Sequence, residues 1–250
     1  MDGNDTFRSR PPRLRSDWAL FLDVDGCLLD HASSPAQVEV PQRLGERLCE
    51  IGSELDGAIA LVSGRSIVAL DELFPDCSGL CAAGLHGLER RMPGARVDAP
   101  APPQALNQLI DEARKLLRDY PGACVEASGP CLNLHWRGAP GASGALGEFA
   151  LLALAALPGY RLHPGVHGVE IRPFGFDKGQ AITDFMAHPP FLGRKPVFAG
   201  DDLADECGFA VVNARSGISV LVGDRDDSVA RHRLADPSRV RVWLGMREAA

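Results

Sequence analysis

Several common signals are missing from this 250-residue chain, and each gap removes a class of explanation. Aromatic residues make up only 6%, and no basic stripe accompanies them, so the stacking platform and the phosphate-tracking charge of a nucleic-acid binder are both missing. Acids outnumber bases, 33 Asp and Glu against 26 Lys and Arg, and the net charge of −7 argues equally against an anionic membrane surface. No apolar run reaches the ~18 residues of a membrane span; the stretch from Ala145 to Leu157 is too short and carries Glu148, which predicts a packed helix. The seven cysteines (Cys27, Cys49, Cys77, Cys81, Cys124, Cys131 and Cys207) include no C-x-x-C and lie in apolar or strand-like stretches, so they read as reduced, mostly buried thiols. Residues 1–17 are polar, arginine-rich and broken by proline, without the apolar core of a signal peptide. They are expected to form a flexible tail on a soluble, cytoplasmic protein. Internal repeats and low-complexity tracts are lacking too.

What the chain does have centres on Phe21-Leu22-Asp23-Val24-Asp25-Gly26, where an apolar run from Trp18 ends in two carboxylates one residue apart. Neighbouring like charges raise each other's pKa and cost stability, so such a pair asks for a cation. A hard divalent ion with oxygen ligands, Mg2+ above all, suits it and commonly brings a phosphate. Alone, Asp-x-Asp-Gly also fits calcium loops and ordinary turns, so the rest of the chain has to decide.

Behind Pro41, Leu44, Leu48, Ile51 and Leu55 recur at helical spacing. Ala58 to Val62 then reads as a parallel strand buried on both faces, ending in Ser63-Gly64-Arg65 with a helix starting near Ser66. A third strand, Leu80 to Ala83, runs into Gly84-Leu85-His86-Gly87-Leu88-Glu89. From Pro93 to Pro103 the composition turns to Pro, Ala and Gly, a linker out of the first layer. A helical face from Leu106 to Leu117 follows, then two extended segments joined at Gly129-Pro130, a helix from about Ala145, and a hairpin from Tyr160 to Ile171 turning at Pro164-Gly165. Residues 93–170 thus read as a compact α+β unit inserted into a parallel α/β core of residues 18–92 and 171–250. The core resumes with a helix behind Asp177 at Lys178-Gly179 and a strand, Pro196 to Ala199, ending in Gly200-Asp201-Asp202. Phe209 to Val212 and Ser219 to Val222 read as two further strands.

Asp23 and Asp25, Ser63, His86, and Asp201 with Asp202 all fall just past the carboxyl end of an apolar strand. In an open parallel sheet those ends share one edge, where ligands bind. Phosphate-ester hydrolysis needs such a set. It is so slow unaided that enzymes supply up to ~10²¹-fold, and no single group provides that. Asp23 is the natural nucleophile for a covalent aspartyl-phosphate, kept ionised by Mg2+ and Lys178. Asp25 can protonate the leaving oxygen and later take a proton from water. Ser63 and nearby backbone N–H groups would hold the phosphoryl oxygens, with Lys178 offsetting their charge. Asp201 is the expected metal ligand beside Asp23 and Asp25, with Asp202 and Asp205 in or near the second layer around the ion.

Asp23-Val24-Asp25-Gly26, Ser63-Gly64-Arg65, Lys178-Gly179 and Gly200-Asp201-Asp202 with Asp205-Glu206 resemble the four motifs of the haloacid dehalogenase superfamily of Mg2+-dependent phosphatases. The insertion resembles its C2-type cap on a Rossmann-like core. Within that superfamily the chain is most similar to the trehalose-6-phosphate phosphatases, through Gly84 to Glu89, Leu134-His135-Trp136-Arg137 and Val169 to Pro173. The resemblance spans Trp18 to about Leu244. It implies a hydrolase of trehalose 6-phosphate, with Glu126, His135, Arg137 and Glu170 contacting the sugar and Gly64, Arg65 and His86 serving from the core; a monomer is expected, with no nucleic-acid or membrane partner. The cap would close over bound sugar, hinged near 93–103 and 171–175. Three positions depart from the family's usual residues: Cys27 and Ala204 stand in place of threonines, and Ser128 in place of a lysine, which leaves one sugar or phosphate contact unassigned.

The insert supports this independently. A two-residue turn at Gly129-Pro130 sets Glu126 opposite Asn133 and Cys124 opposite His135, so Glu126, Ser128, Asn133, His135 and Arg137 share one face. Val125, Ala127, Leu132, Leu134 and Trp136 take the other and would pack on the helices. Glu170 and Arg172 alternate with Val169 and Ile171 likewise. Phosphatases of sucrose phosphate or mannosyl-phosphoglycerate share the chemistry, and a non-catalytic sugar-phosphate sensor is the alternative of another class, although all four chemical motifs are intact.

Overall fold

The computed structural model describes residues 9–32, 37–95 and 98–247 and divides into two compact units, Met1–Asp98 with Phe176–Ala250, and Ala99–Gly175. In chain order the first unit opens with β1 (Trp18–Leu22), α1 (Leu44–Glu54), β2 (Ile59–Val62), α2 (Ile67–Leu73), β3 (Cys81–Gly84) and β4 (Glu89–Arg91). The second holds α3 (Gln104–Leu116), β5 (Cys124–Ser128), β6 (Cys131–His135), α4 (Ser143–Ala156), β7 (Tyr160–Gly165) and β8 (Gly168–Pro173). The first then resumes with α5 (Lys178–Met186), β9 (Lys195–Gly200), α6 (Glu206–Ala214), β10 (Ile218–Val222), β11 (His232–Leu234) and α7 (Pro237–Trp243).

The first unit's sheet runs β11-β10-β9-β1-β2-β3-β4 and is parallel except for the last pair. Every residue of β1 is buried, as an unbroken apolar run requires when both faces are covered. From β1 the chain builds outward through β2 and β3. It later returns to β9 on the other flank and builds outward again through β10 and β11. The direction of winding therefore reverses between β1 and β9, and the register Leu22↔Ala199 brings their carboxyl ends level. That reversal opens the crevice in which an α/β sheet holds its ligands.

Helix α5 is tied to the central strand by aromatic packing. Phe185 lies against Phe21 and Phe191 with ring centroids 5.1–5.9 Å apart. Each such pair adds about 0.5–1.5 kcal/mol beyond its burial. Two turns earlier, Asp177 caps the helix by accepting from the Gln180 N–H at 2.8 Å. Cap and aromatic cluster together fix the position of Lys178, the first helical residue.

In the second unit, α3 and α4 pack on one face of an antiparallel sheet ordered β5-β6-β8-β7, with Leu109, Ala113, Leu146 and Ala150 against Leu132, Leu134, Val169 and Ile171. The turn at Gly129-Pro130 has the expected register, Ser128↔Cys131 and Glu126↔Asn133.

Several expectations change. Phe209 to Val212 lies inside α6, not in a strand: Phe209 and Val212 are buried three residues apart while Ala210 is exposed, a helical period that four apolar residues in a row conceal. β4 and β11 were not expected. The hairpin turn lies at Val166-His167, beyond Pro164-Gly165, which belong to β7. Ala127 is exposed because β5 is an edge strand. The junctions fall at 98 and 175 instead of 93 and 170. Arg90 and Asp98 exchange backbone hydrogen bonds of 2.8 and 2.7 Å, which keeps 98 with the first unit, and β8 continues through Pro173. Among the described residues no helix is long and apolar enough to cross a membrane. All seven cysteines are free thiols, of which only Cys124 is exposed.

Candidate active site

Asp23 directly follows β1, its backbone N–H donating to the Ala199 carbonyl at 2.9 Å, so the chain leaves the sheet beside the end of β9. Only 4% of Asp23 is exposed, and its Oδ1 lies 2.9 Å from Lys178 Nζ. The same ammonium donates to Asp205 Oδ1 at 2.7 Å. Asp205 Oδ2 accepts the backbone N–H groups of Asp201 and Asp202, at 2.9 and 3.1 Å. Both Asp205 oxygens are thus committed to holding Lys178 and the end of β9. The sequence suggested a more peripheral place for it.

Burial pushes the Asp23 carboxyl up to about 7, against the pull of Lys178. Burial, then the charge of Asp23, drives Asp205 well above the usual carboxylate range, and burial followed by Asp205 and Asp202 raises Asp201. Burial works against the Lys178 charge too, but Asp23, Asp205 and Asp202 outweigh it and the ammonium's pKa is raised. One buried cation thus faces more acid than it can neutralise. Oxygens of Asp23, Asp201 and Asp205 lie within 4.8 Å of one another. Asp201 Oδ1 is buried with no hydrogen-bond partner. An all-carboxylate donor set with one unpartnered buried oxygen, Asp201 Oδ1, fits a hard divalent cation held by Asp201 and Asp23.

Asp25 faces elsewhere. Its two oxygens accept Arg65 Nε and Nη2, each at 2.6 Å, so this carboxylate, expected among the metal ligands, is taken up by a guanidinium fork. Gly26 turns the chain with φ +76°, and a side chain there would run into the Asp201 carboxylate.

Ser63 is buried at the end of β2, its Oγ accepting the Arg65 N–H at 3.1 Å. Its carbonyl accepts the His86 N–H at 2.9 Å, while the Arg65 carbonyl accepts Leu85 N–H at 2.8 Å. To make these bonds Leu85 and His86 both take left-handed backbone, φ 48° and 55°, which is costly away from glycine and marks a constrained site. Asp23, Asp25, Ser63, Gly64, Arg65, His86, Lys178 and Asp201 therefore all stand at the carboxyl edge of the first unit's sheet. His31, which nothing in the sequence singled out, joins them with Nε2 3.0 Å from Asp201 Oδ2.

In the second unit, Glu126, His135 and Glu170 share the sheet face away from the helices, with Glu126 Oε2 3.9 Å from His135 Nε2. Glu170 accepts from the buried Arg172 at 3.5 Å. Arg137 lies past the end of β6, in a turn, so the ladder does not carry it as the alternation suggested.

A parallel sheet that reverses at its central strand, with paired aspartates at that strand's end facing a buried lysine and an acid cluster, has the fold of the haloacid dehalogenase superfamily. A phosphatase of that superfamily from Bacteroides thetaiotaomicron shares the fold with a TM-score of 0.58 at 16% identity, over 97% of this chain and 96% of that one. The chain belongs to the trehalose-phosphatase family, whose model matches residues 21–239. It is 41% identical over 241 residues to the trehalose-6-phosphate phosphatase of Escherichia coli (strain K12), covering 94% of this chain and 88% of that protein. The C-terminal domain of C. albicans trehalose-6-phosphate phosphatase shares the fold with a TM-score of 0.73 at 21% identity, over 91% and 90% of the two chains.

Proposed function

We propose that this protein is a Mg2+-dependent phosphomonoesterase that hydrolyses trehalose 6-phosphate to trehalose and phosphate. The observation that carries this reading is the setting of Asp23: buried at the end of the central strand, between the Lys178 ammonium and the unpartnered Asp201 oxygen. Family membership supplies the substrate.

Asp23 attacks phosphorus, forming a carboxyl–phosphate bond as the bond to the sugar oxygen breaks. Asp25 gives that oxygen its proton and afterwards takes one from the water that cleaves the aspartyl-phosphate, returning Asp23 as a carboxylate. A carboxylate accepting both prongs of a guanidinium has no proton to give, so Arg65 must release Asp25 for the first step. Ser63 Oγ, the backbone at Gly64 and Lys178 bind the phosphoryl oxygens, and His86 lines the same rim. Mg2+ held by Asp23 and Asp201 would supply further positive charge against those oxygens. Sugar selection falls to the second unit, through Glu126, His135, Arg137 and Glu170, whose acceptors and donors suit hydroxyl groups.

A phosphate-release screen over monosaccharide and disaccharide phosphates, with and without Mg2+ and beside Asp23→Asn, tests this. Release from trehalose 6-phosphate should dominate, require Mg2+ and vanish in the variant. Saturable binding without release would favour a sensor.

A further inference from the structure

Two of the chain's seven thiols stand together in the first unit. Cys49 lies on α1, one turn after Gly45, and Cys77 ends a short helical turn, Pro75–Cys77, between α2 and β3. Their Sγ atoms are 3.1 Å apart, although the residues are 28 positions apart in the chain. A disulfide bond is about 2.05 Å long, so the sulfurs have roughly 1 Å left to close. Each thiol is also steered by a carbonyl on the other's segment. Cys77 Sγ donates to the Gly45 carbonyl at 2.9 Å, and Cys49 Sγ donates to the Asp76 carbonyl at 3.2 Å. These crossed bonds hold each side chain against the other's backbone.

The surroundings decide what such a pair can do. A thiolate metal centre takes three or four protein donors. Among the described residues the one cluster of three or more ligating side chains is Asp23, Asp201 and Asp205, so nothing completes a metal centre at Cys49 and Cys77. Access to the two sulfurs is unequal. Cys77 is 3% exposed, and burial, followed by its bond with Cys49, pushes its thiol up to about 12. Cys49 is half-buried, so its sulfur is the one a reagent meets first. An accessible thiol backed by a second within reach is the arrangement that thiol–disulfide exchange needs.

We propose that Cys49 and Cys77 form a redox-modification site that closes reversibly to a disulfide on meeting a small disulfide oxidant. The Cys49 thiolate attacks one sulfur of the oxidant, breaking its S–S bond and releasing one thiolate. Cys77, as its thiolate, then attacks Cys49 Sγ, breaking the mixed disulfide and releasing the second. The two protons lost by the cysteines pass through water to those thiolates, and the two electrons lost by the protein's sulfurs reduce the oxidant to two thiols. The new bond closes a loop that contains β2 and Ser63-Gly64-Arg65. It therefore removes freedom chiefly from the unfolded chain, and the oxidised protein resists unfolding. Nothing in this depends on which substrate the chain hydrolyses.

The test uses the full chain with Cys124→Ser, which removes the exposed thiol. It is equilibrated with glutathione disulfide, its remaining thiols are alkylated, and it is digested without reduction. A peptide pair joined through Cys49 and Cys77, two hydrogens lighter than the sum of its parts, is expected. The melting temperature should rise by about 5 °C or more, and dithiothreitol should reverse both changes. Adding Cys49→Ala to the same chain should abolish them. Glutathione retained on Cys49 with no cross-link, full alkylation of Cys49 and Cys77 after oxidation, or a disulfide through another cysteine would each overturn the proposal.

Discussion

Lys178 and Asp23 form an ion pair 2.9 Å long in which neither side chain is more than 6% exposed. Opposite charges removed from water to that extent stand or fall together, because either one left alone keeps its desolvation cost without its partner. With Asp205 on the ammonium's other side, the lysine is the hub of the first unit's acid cluster.

Lys178→Met should therefore unfold more easily as well as lose activity. Leaving two buried carboxylates without their cation costs about 3–5 kcal/mol. The loss should shrink in acid, where protonated carboxyls need no counter-charge. Urea denaturation midpoints at about pH 5 and about pH 8 check this; an equal loss at both would contradict the burial argument.

Metal and protons compete for the same oxygens. The Asp23 carboxyl titrates near 3.8 when exposed and at about 7 in the fold, so the folded chain binds the extra proton between those values. Its contribution to stability is complete below 3.8 and is lost as pH rises through about 7, and the raised Asp201 and Asp205 act in the same direction. Metal-free wild type should lose melting temperature relative to Asp23→Asn across that window. The stabilisation given by Mg2+ should grow over the same range, since the ion needs deprotonated ligands. A Mg2+ shift that is flat or falls with pH sinks the assignment.

Asp25 is tied to Arg65 by two bonds and has a proton-transfer role that the nucleophile cannot take over. Asp25→Asn should lower kcat by about 10²–10⁴ with little change in KM. Steady-state kinetics on trehalose 6-phosphate decide it, and a pure KM effect would assign Asp25 to binding instead.

Gly64 lies under the His86 ring. A Cβ there would come within 2.8 Å of Cε1 and Nε2, so Gly64→Ala must move the imidazole. A ring can swing at small cost, which predicts a change under about 1 kcal/mol in stability alongside a clear fall in turnover. Crystallography of the variant would show whether His86 has moved; an unmoved ring with normal turnover refutes its role.

Much of this was legible in the chain because its signals are local. The buried strands are continuous apolar runs, and the polar residues at their ends follow at once, so Asp23, Ser63, His86 and Asp201 could be placed on one edge before any coordinates. The hairpin around Gly129-Pro130 was legible because a two-residue turn with period-two alternation fixes register. Phe209 to Val212 was misread, since a short apolar run has the same appearance in a buried helix. Asp205 looked peripheral because its role depends on both oxygens reaching Lys178 and the backbone of Asp201 and Asp202, which sequence spacing does not reveal. His31 left no local trace, because it meets its partner 170 residues away.

Asp23 as the atom-transferring group is the claim on which the rest depends, and mass spectrometry of acid-quenched protein, taken within the first turnover on trehalose 6-phosphate and Mg2+, tests it most directly. One phosphoryl group should be found on the peptide containing Asp23 and on no other, and none in Asp23→Asn. Phosphate released at the full rate with no such adduct, or by the Asn variant, would contradict the account.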